Sequence, residues 1–193
     1  MDINDIFPTP IGFLNNKDLT DKILPIVTTI LDEIDDRGHF HYKTSYNMSQ
    51  VESYLSNFPF IKQSIIEIAQ NYTTKIGYQL PEKIGISLFT SRMTIGDRHE
   101  SHIHPDSILS GLFYLNIDKN SAPILFEDPR PIRPFNQLIP IDKNRLEKYN
   151  TYEISFTPKV GDIIIWESWL KHRVPLNNSN YRETLVFNIH KQY

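Results

Sequence analysis

The hydrophobic period of the chain changes at Lys83, and no other feature constrains the fold as strongly. Before that point apolar residues recur at three- and four-residue steps, as a helix face requires. Ile23, Leu24, Val27, Ile30, Leu31 and Ile34 form one such stripe. Ile61, Ile65, Ile66, Ile68, Ala69 and Tyr72 form another, closed by Gly77 and Pro81. After Lys83 the pattern alternates: Ile84, Ile86, Leu88 and Thr90 are interleaved with Gly85, Ser87 and Phe89. Strand signals follow at 101–104, 108–117, 124–127, 152–157, 162–166, 172–175 and 183–190. Two helices and then a run of eight short strands predict a mainly β fold, a sandwich or jelly roll with the helices packed on one sheet.

The punctuation refines this. Pro8 and Pro10 make 3–13 an extended opening segment. Asp18 or Thr20 is expected to cap the first helix, and Pro25 is expected to delay or kink it. Residues 35–56 read as polar and irregular, so His39 and His41 are taken as loop histidines. Residues 128–150 carry four of the 13 prolines and a mixed-charge tail; a loop of that length in a compact domain reads as functional or disordered, and a lid is the functional form expected of it. Arg130 and Arg133 would then be available to an acidic or phosphorylated substrate; the alternative is a solvated loop. One domain is expected over 1–193, with the extended segment and helices in 1–82 and the β core in 83–193.

Composition excludes several classes. There is no cysteine, so disulfides, thiolate metal sites and thiol nucleophiles are absent. Any metal must sit on His, Asp or Glu, which favours iron, manganese or zinc. A formal net charge of −3 gives no general attraction to nucleic acid or an anionic membrane. No run of about eighteen apolar residues and no basic-then-apolar leader occurs. The expectation is a soluble, cytoplasmic protein, with the apolar N-terminal helix available for a homodimer contact.

The chemistry-bearing residues lie in two places. GDRHESHIHPD, beginning at Gly96, holds His99, His102, His104 and Asp106; residues 161–188 hold Trp166, His172, Arg182 and Thr184. Positions i and i+2 of a strand share a face, so His102 and His104 can meet one metal while Ile103 enters the core. His104 and Asp106 satisfy the same spacing. Pro105 ends the ladder and opens it into a loop. Two histidines and one further ligand leave three coordination positions open, the arrangement of non-haem Fe(II) oxygenases.

Taken together, Gly96 six residues before His102, the segment LSGLFYLN, the run VGDIIIWESWLKH and Arg182 ten residues after His172 resemble the 2-oxoglutarate and Fe(II)-dependent oxygenases. Within them, H-x-H-P and S-G-x-x-Y are similar to a small bacterial and phage group, over about Lys83 to the C-terminus. The resemblance implies a double-stranded β-helix, cupin-like in outline, with Fe(II) as cofactor and 2-oxoglutarate as co-substrate. It makes His102 and His172 metal ligands and places Arg182 on the far carboxylate of 2-oxoglutarate, with Tyr114 and Thr184 beside it. The family's aspartate position is His104 here. Either His104 ligates, or Asp106 takes the third place, or water does; the spacing from Gly96 favours His102, His104 and His172. His99 is expected to face away from the metal, supporting a ligand from behind or lying at the surface, and Trp166 to be core. The implied activity is a dioxygenase hydroxylating a prolyl-like peptidyl or small-molecule substrate, with release of succinate and CO2. Two other readings remain: a cupin-like three-histidine enzyme without 2-oxoglutarate, and a jelly-roll binding module without catalysis.

Overall fold

The computed structural model describes residues 2–34, 41–130, 139, 141 and 149–193. His39, Arg133 and most of the 128–150 loop lie outside the described residues. Ten strands and three helices are described: β1 (Ile11–Asn15), α1 (Lys17–Glu33), β2 (Lys43–Thr44), α2 (Ser49–Leu55), α3 (Pro59–Lys75), β3 (Ile84–Met93), β4 (His99–His102), β5 (Leu109–Ile117), β6 (Ile124–Glu127), β7 (Glu153–Phe156), β8 (Asp162–Glu167), β9 (His172–Val174) and β10 (Arg182–Lys191). They form a six-stranded sheet in the order β1-β8-β5-β10-β3-β2 and a four-stranded sheet in the order β4-β9-β6-β7. Every pairing is antiparallel. This is the expected mainly β architecture, a double-stranded β-helix with helices on its larger sheet.

Helix α1 starts two residues earlier than Asp18 would place it and four earlier than Thr20 would. Asn16 is the cap, its side-chain oxygen accepting from the Leu19 N–H at 3.0 Å. Pro25 sits within the helix rather than ending it. It leaves the Asp21 carbonyl without its usual donor, and α1 persists because Ile23, Val27, Ile30 and Leu31 are buried on the large sheet. Each such side chain contributes roughly 1.5–3 kcal/mol before entropy is charged. Helix α3 begins at Pro59, where a missing N–H costs nothing. The short helix α2 and strand β2 fall where an irregular stretch was expected. Val51 and Leu55 of α2 are buried in the helix-side core, and that tertiary burial sustains seven residues with no side-chain cap.

A second, smaller core lies between the sheets and contains Leu112, Tyr114, Ile124, Phe126, Ile164, Trp166 and Leu170. Gly111 allows the closest approach across the large sheet. A Cβ there would lie 2.5 Å from the Ile164 carbonyl oxygen and would collide with the Phe187 ring. Among the described residues no helix is long and apolar enough to cross a membrane.

Candidate metal and co-substrate site

The site is assembled by pairing between β4 and β9, which sets His102 directly opposite His172. His104 lies just beyond the end of β4. Its N–H donates to the Ser168 carbonyl at 3.0 Å instead of to a strand ladder. That break in the ladder also corrects one expectation: Ile103 does not enter the core but is 45% exposed at a cavity mouth. The ligand atoms of His102, His104 and His172 all lie within 4.8 Å of one another, and no other such group occurs among the described residues. Nε2 of His104 is 3.2 Å from Nε2 of His172. That one separation suits two neighbouring ligands of an octahedral metal whose metal–nitrogen bonds are about 2.1 Å.

Hydrogen bonds outside the cluster orient the rings. Nδ1 of His102 lies 2.8 Å from the Glu100 carbonyl, and Nδ1 of His172 lies 2.8 Å from the Leu170 carbonyl. A carbonyl only accepts, so Nδ1 donates in both rings, and a neutral ring then presents Nε2 as a lone pair. The Asn188 side chain lines the same cavity as His104 and pulls that ring's pKa upward against burial. Its carbonyl oxygen accepts from Ser110 Oγ at 2.8 Å, and Ser110 meets Ser168 Oγ at 2.7 Å. Burial pushes the rings toward the neutral form that a metal needs. His172 is depressed to about 3 and His104 to about 4, each by burial first and neighbouring histidines second. His102 is lowered too, again chiefly by burial. The donor set therefore fits a divalent metal of the Fe(II) type.

The structure also places Asp106, the alternative third ligand, and His99. Asp106 is exposed and lies outside the histidine group. Its backbone carbonyl instead accepts from His190 Nδ1 at 2.8 Å. His99 does not face away: its ring stacks on His102 at 4.1 Å and its Nδ1 lies 3.0 Å from the Tyr42 hydroxyl. A bulge in the β4–β9 register between His99 and His102 turns it inward. Tyr42 arrives from 57 residues upstream. No periodicity could have announced that contact; only the H-x-x-H spacing marked His99 itself.

Arg182 is 2% exposed at the start of β10. Its Nε donates to the Ala122 carbonyl at 2.8 Å, and its Nη2 reaches the Tyr114 hydroxyl at 3.4 Å. Among the described residues no carboxylate lies within ion-pair distance of it. The adjacent Glu183 faces the other way and pairs with Arg92 at 2.6 Å. Tyr114 is fully buried, and burial raises its phenol so that it stays protonated, with Arg182 pulling in the opposite direction. Thr184 is buried and shares a hydrogen bond of 2.8 Å with Ser91. Trp166 is core, as expected, with its ring 4.8 Å from His172 and its indole N–H without a partner among the described residues.

A double-stranded β-helix with three convergent histidines and a buried arginine between its sheets defines the architecture of an Fe(II)- and 2-oxoglutarate-dependent enzyme. The sequence model of the family described as "Putative 2OG-Fe(II) oxygenase" matches residues 87–188, more than half of the chain. The chain belongs to that family, whose cofactor is Fe(II) and whose co-substrate is 2-oxoglutarate. No curated protein matches the chain significantly. Among solved structures, it is similar to HygX from Streptomyces hygroscopicus with nickel and 2-oxoglutarate bound, at 8% identity and a TM-score of 0.62, covering 96% of this chain and 84% of that one. The epimerase SnoN in complex with Fe3+, alpha ketoglutarate and nogalamycin RO gives 9% identity and a TM-score of 0.64, over 95% and 79% of the two chains. A prolyl-4-hydroxylase from Pseudomonas putida gives 11% identity and a TM-score of 0.54, over 96% and 89%. At these identities the likeness is one of fold.

Proposed function

We propose that the chain is a 2-oxoglutarate-dependent hydroxylase in which His102, His104 and His172 hold Fe(II) and Arg182 receives the far carboxylate of 2-oxoglutarate. The observation that carries this reading is the guanidinium of Arg182, buried without a carboxylate partner among the described residues. A buried cation is costly until an anion joins it, and a planar fork suits a carboxylate. Tyr114 adds a protonated phenol, and Thr184 a hydroxyl that exchanges Ser91 for the ligand.

When bound, the metal activates oxygen for oxidative decarboxylation of 2-oxoglutarate to succinate and CO2, coupled to hydroxylation of a C–H bond. The chain's own residues do the rest. The neutral imidazoles of His102, His104 and His172 would hold the metal. Two backbone carbonyls hold the rings of His102 and His172 in place. Arg182 anchors the co-substrate from one side, while Phe126 and Trp166 pack against His172 and keep water from its inner face. A cavity of about 560 Å³ opens beside His102 and His104 and is the place for a peptidyl or small-molecule substrate.

The test is an anaerobic titration of the metal-free chain with Fe(II) and then 2-oxoglutarate, followed by visible absorption. A weak charge-transfer band that saturates with 2-oxoglutarate is the expected result. Iron binding without the band sinks the 2-oxoglutarate assignment, and no iron binding sinks the ligand set.

A further inference from the structure

We propose that the open edge of β3 is a docking strand for an extended peptide with a basic residue near its centre, held across the cavity beside His102 and His104. The inference rests on the cavity being the substrate side of the proposed site. The parity of β3 sets it up. The Thr90 N–H donates to Ser45 Oγ at 2.9 Å, and the Thr90 carbonyl accepts from the Ser45 N–H at 3.0 Å. The polar backbone of Thr90 therefore points away from β10. In a strand these groups alternate sides, so those of Leu88 and Ile86 point the same way as Thr90.

Nothing described continues the ladder on that side. β2 pairs only with Arg92 and Ser91. Beyond Ser45 the chain turns off through Asn47, whose φ is 62°, and enters α2. Leu88 shows what remains. It packs its side chain into the helix-side core and also lines the cavity, while the residue as a whole is 4% exposed. Unpaired edges of this kind recruit extended chains. Ser87 and Phe89, between the outward-pointing amides, present their side chains on the histidine side of the sheet. Ser87 is fixed there by a 2.8 Å hydrogen bond to His190 Nε2.

A peptide paired at Ile86 and Leu88 would likewise send every second side chain toward the histidines. The charge of the cavity selects among peptides. Its only acidic or basic side chains other than histidine are Glu52 and Asp106, and neither has an ion-pair partner among the described residues. Two uncompensated carboxylates beside apolar walls favour a cation and repel an acidic segment.

The experiment uses the full chain, isotopically labelled, with no metal or co-substrate added. Three pools of capped seven-residue peptides, randomised except for a central Lys, Ala or Glu, are added separately while amide exchange is followed by NMR. The Lys pool is expected to slow exchange at Ile86 and Leu88 at least tenfold. Ser87 and Phe89, already bonded to β10, should change little, and the Glu pool should protect neither set. Absence of protection from every pool overturns the proposal, as does equal protection by Lys and Glu pools. Because pairing needs neither iron nor turnover, protection in a chain that gives no charge-transfer band would sustain the docking strand and sink the oxygenase reading alone.

Discussion

Replacing Arg182 with methionine separates a structural arginine from one held ready for a ligand. Methionine keeps most of the stem volume and removes the charge. Two terms then oppose each other in the ligand-free chain. Losing the Nε donor leaves the Ala122 carbonyl unsatisfied, at about 1–3 kcal/mol. Removing a 2%-exposed guanidinium without a carboxylate relieves a desolvation penalty of several kcal/mol. The ligand-free variant should therefore melt no lower than the parent. With 2-oxoglutarate the order reverses. At a hundred times Kd the parent gains about 2.7 kcal/mol, or roughly 5–11 °C at about 2–4 °C per kcal/mol for a chain of this size. The variant loses about 2–5 kcal/mol of affinity and should show almost no shift. Differential scanning calorimetry with Mn(II), with and without 2-oxoglutarate under nitrogen, measures both arms. A variant that melts well below the parent yet keeps its ligand-induced shift would refute the reasoning, because Arg182 would then serve the fold.

Other predictions address the metal, the scaffold and pH. His104→Ala should weaken Fe(II) binding at least a hundredfold while Asp106→Ala changes it less than twofold; competitive chelator titrations decide, and the reverse order would move the third ligand to Asp106. Asn188→Ala should cost roughly 10–100-fold in iron affinity through loss of the polar side chain that stands beside His104, and unchanged affinity would rule that role out. Gly111→Ala should destabilise by about 3 kcal/mol or more, since a backbone carbonyl cannot move aside as a side chain can; urea denaturation with no change in midpoint would contradict the packing. For pH, His172 is buried and its folded value lies near 3, below the unfolded one of about 6.5. A depressed value contributes stability that is complete above about pH 6.5 and is lost as pH falls toward 3. The metal-free chain should lose about 1.4 kcal/mol at pH 5.5 from this residue alone; a melting temperature flat from pH 7.5 to 5.5 would show that His172 is not buried neutral.

The switch of period at Lys83 made most of the β framework legible, because alternation records which face of a strand is buried. β6 begins and ends where the pattern put it, and β5, β8 and β10 differ by a residue at one or both ends. What escaped was whatever depends on a partner far along the chain. Helix α2 has no amphipathic stripe long enough to declare itself and is held by Val51 and Leu55 in a core built by other elements. Ile103 looked buried because strand parity was carried past His102, where the ladder has already stopped. His99 was misjudged for a related reason, since the bulge before His102 breaks the parity that would have turned it outward. The S-G-x-x-Y motif, legible only as a pattern, acquires separate physical reasons. Ser110 supports Asn188, Gly111 clears the way for Phe187, and Tyr114 meets Arg182.

The position of His102 opposite His172 has a consequence for how the molecule comes apart. A metal held by both, and by His104, would tie together residues 68 positions apart in the chain. It would act as a removable cross-link that closes a long loop in the unfolded state, where such closures are worth most. Three-residue β9 has little else to hold it against β4. Iron loading would then set the mechanical integrity of the small sheet as well as the readiness of the site, and a chelator would loosen the seam between β4 and β9.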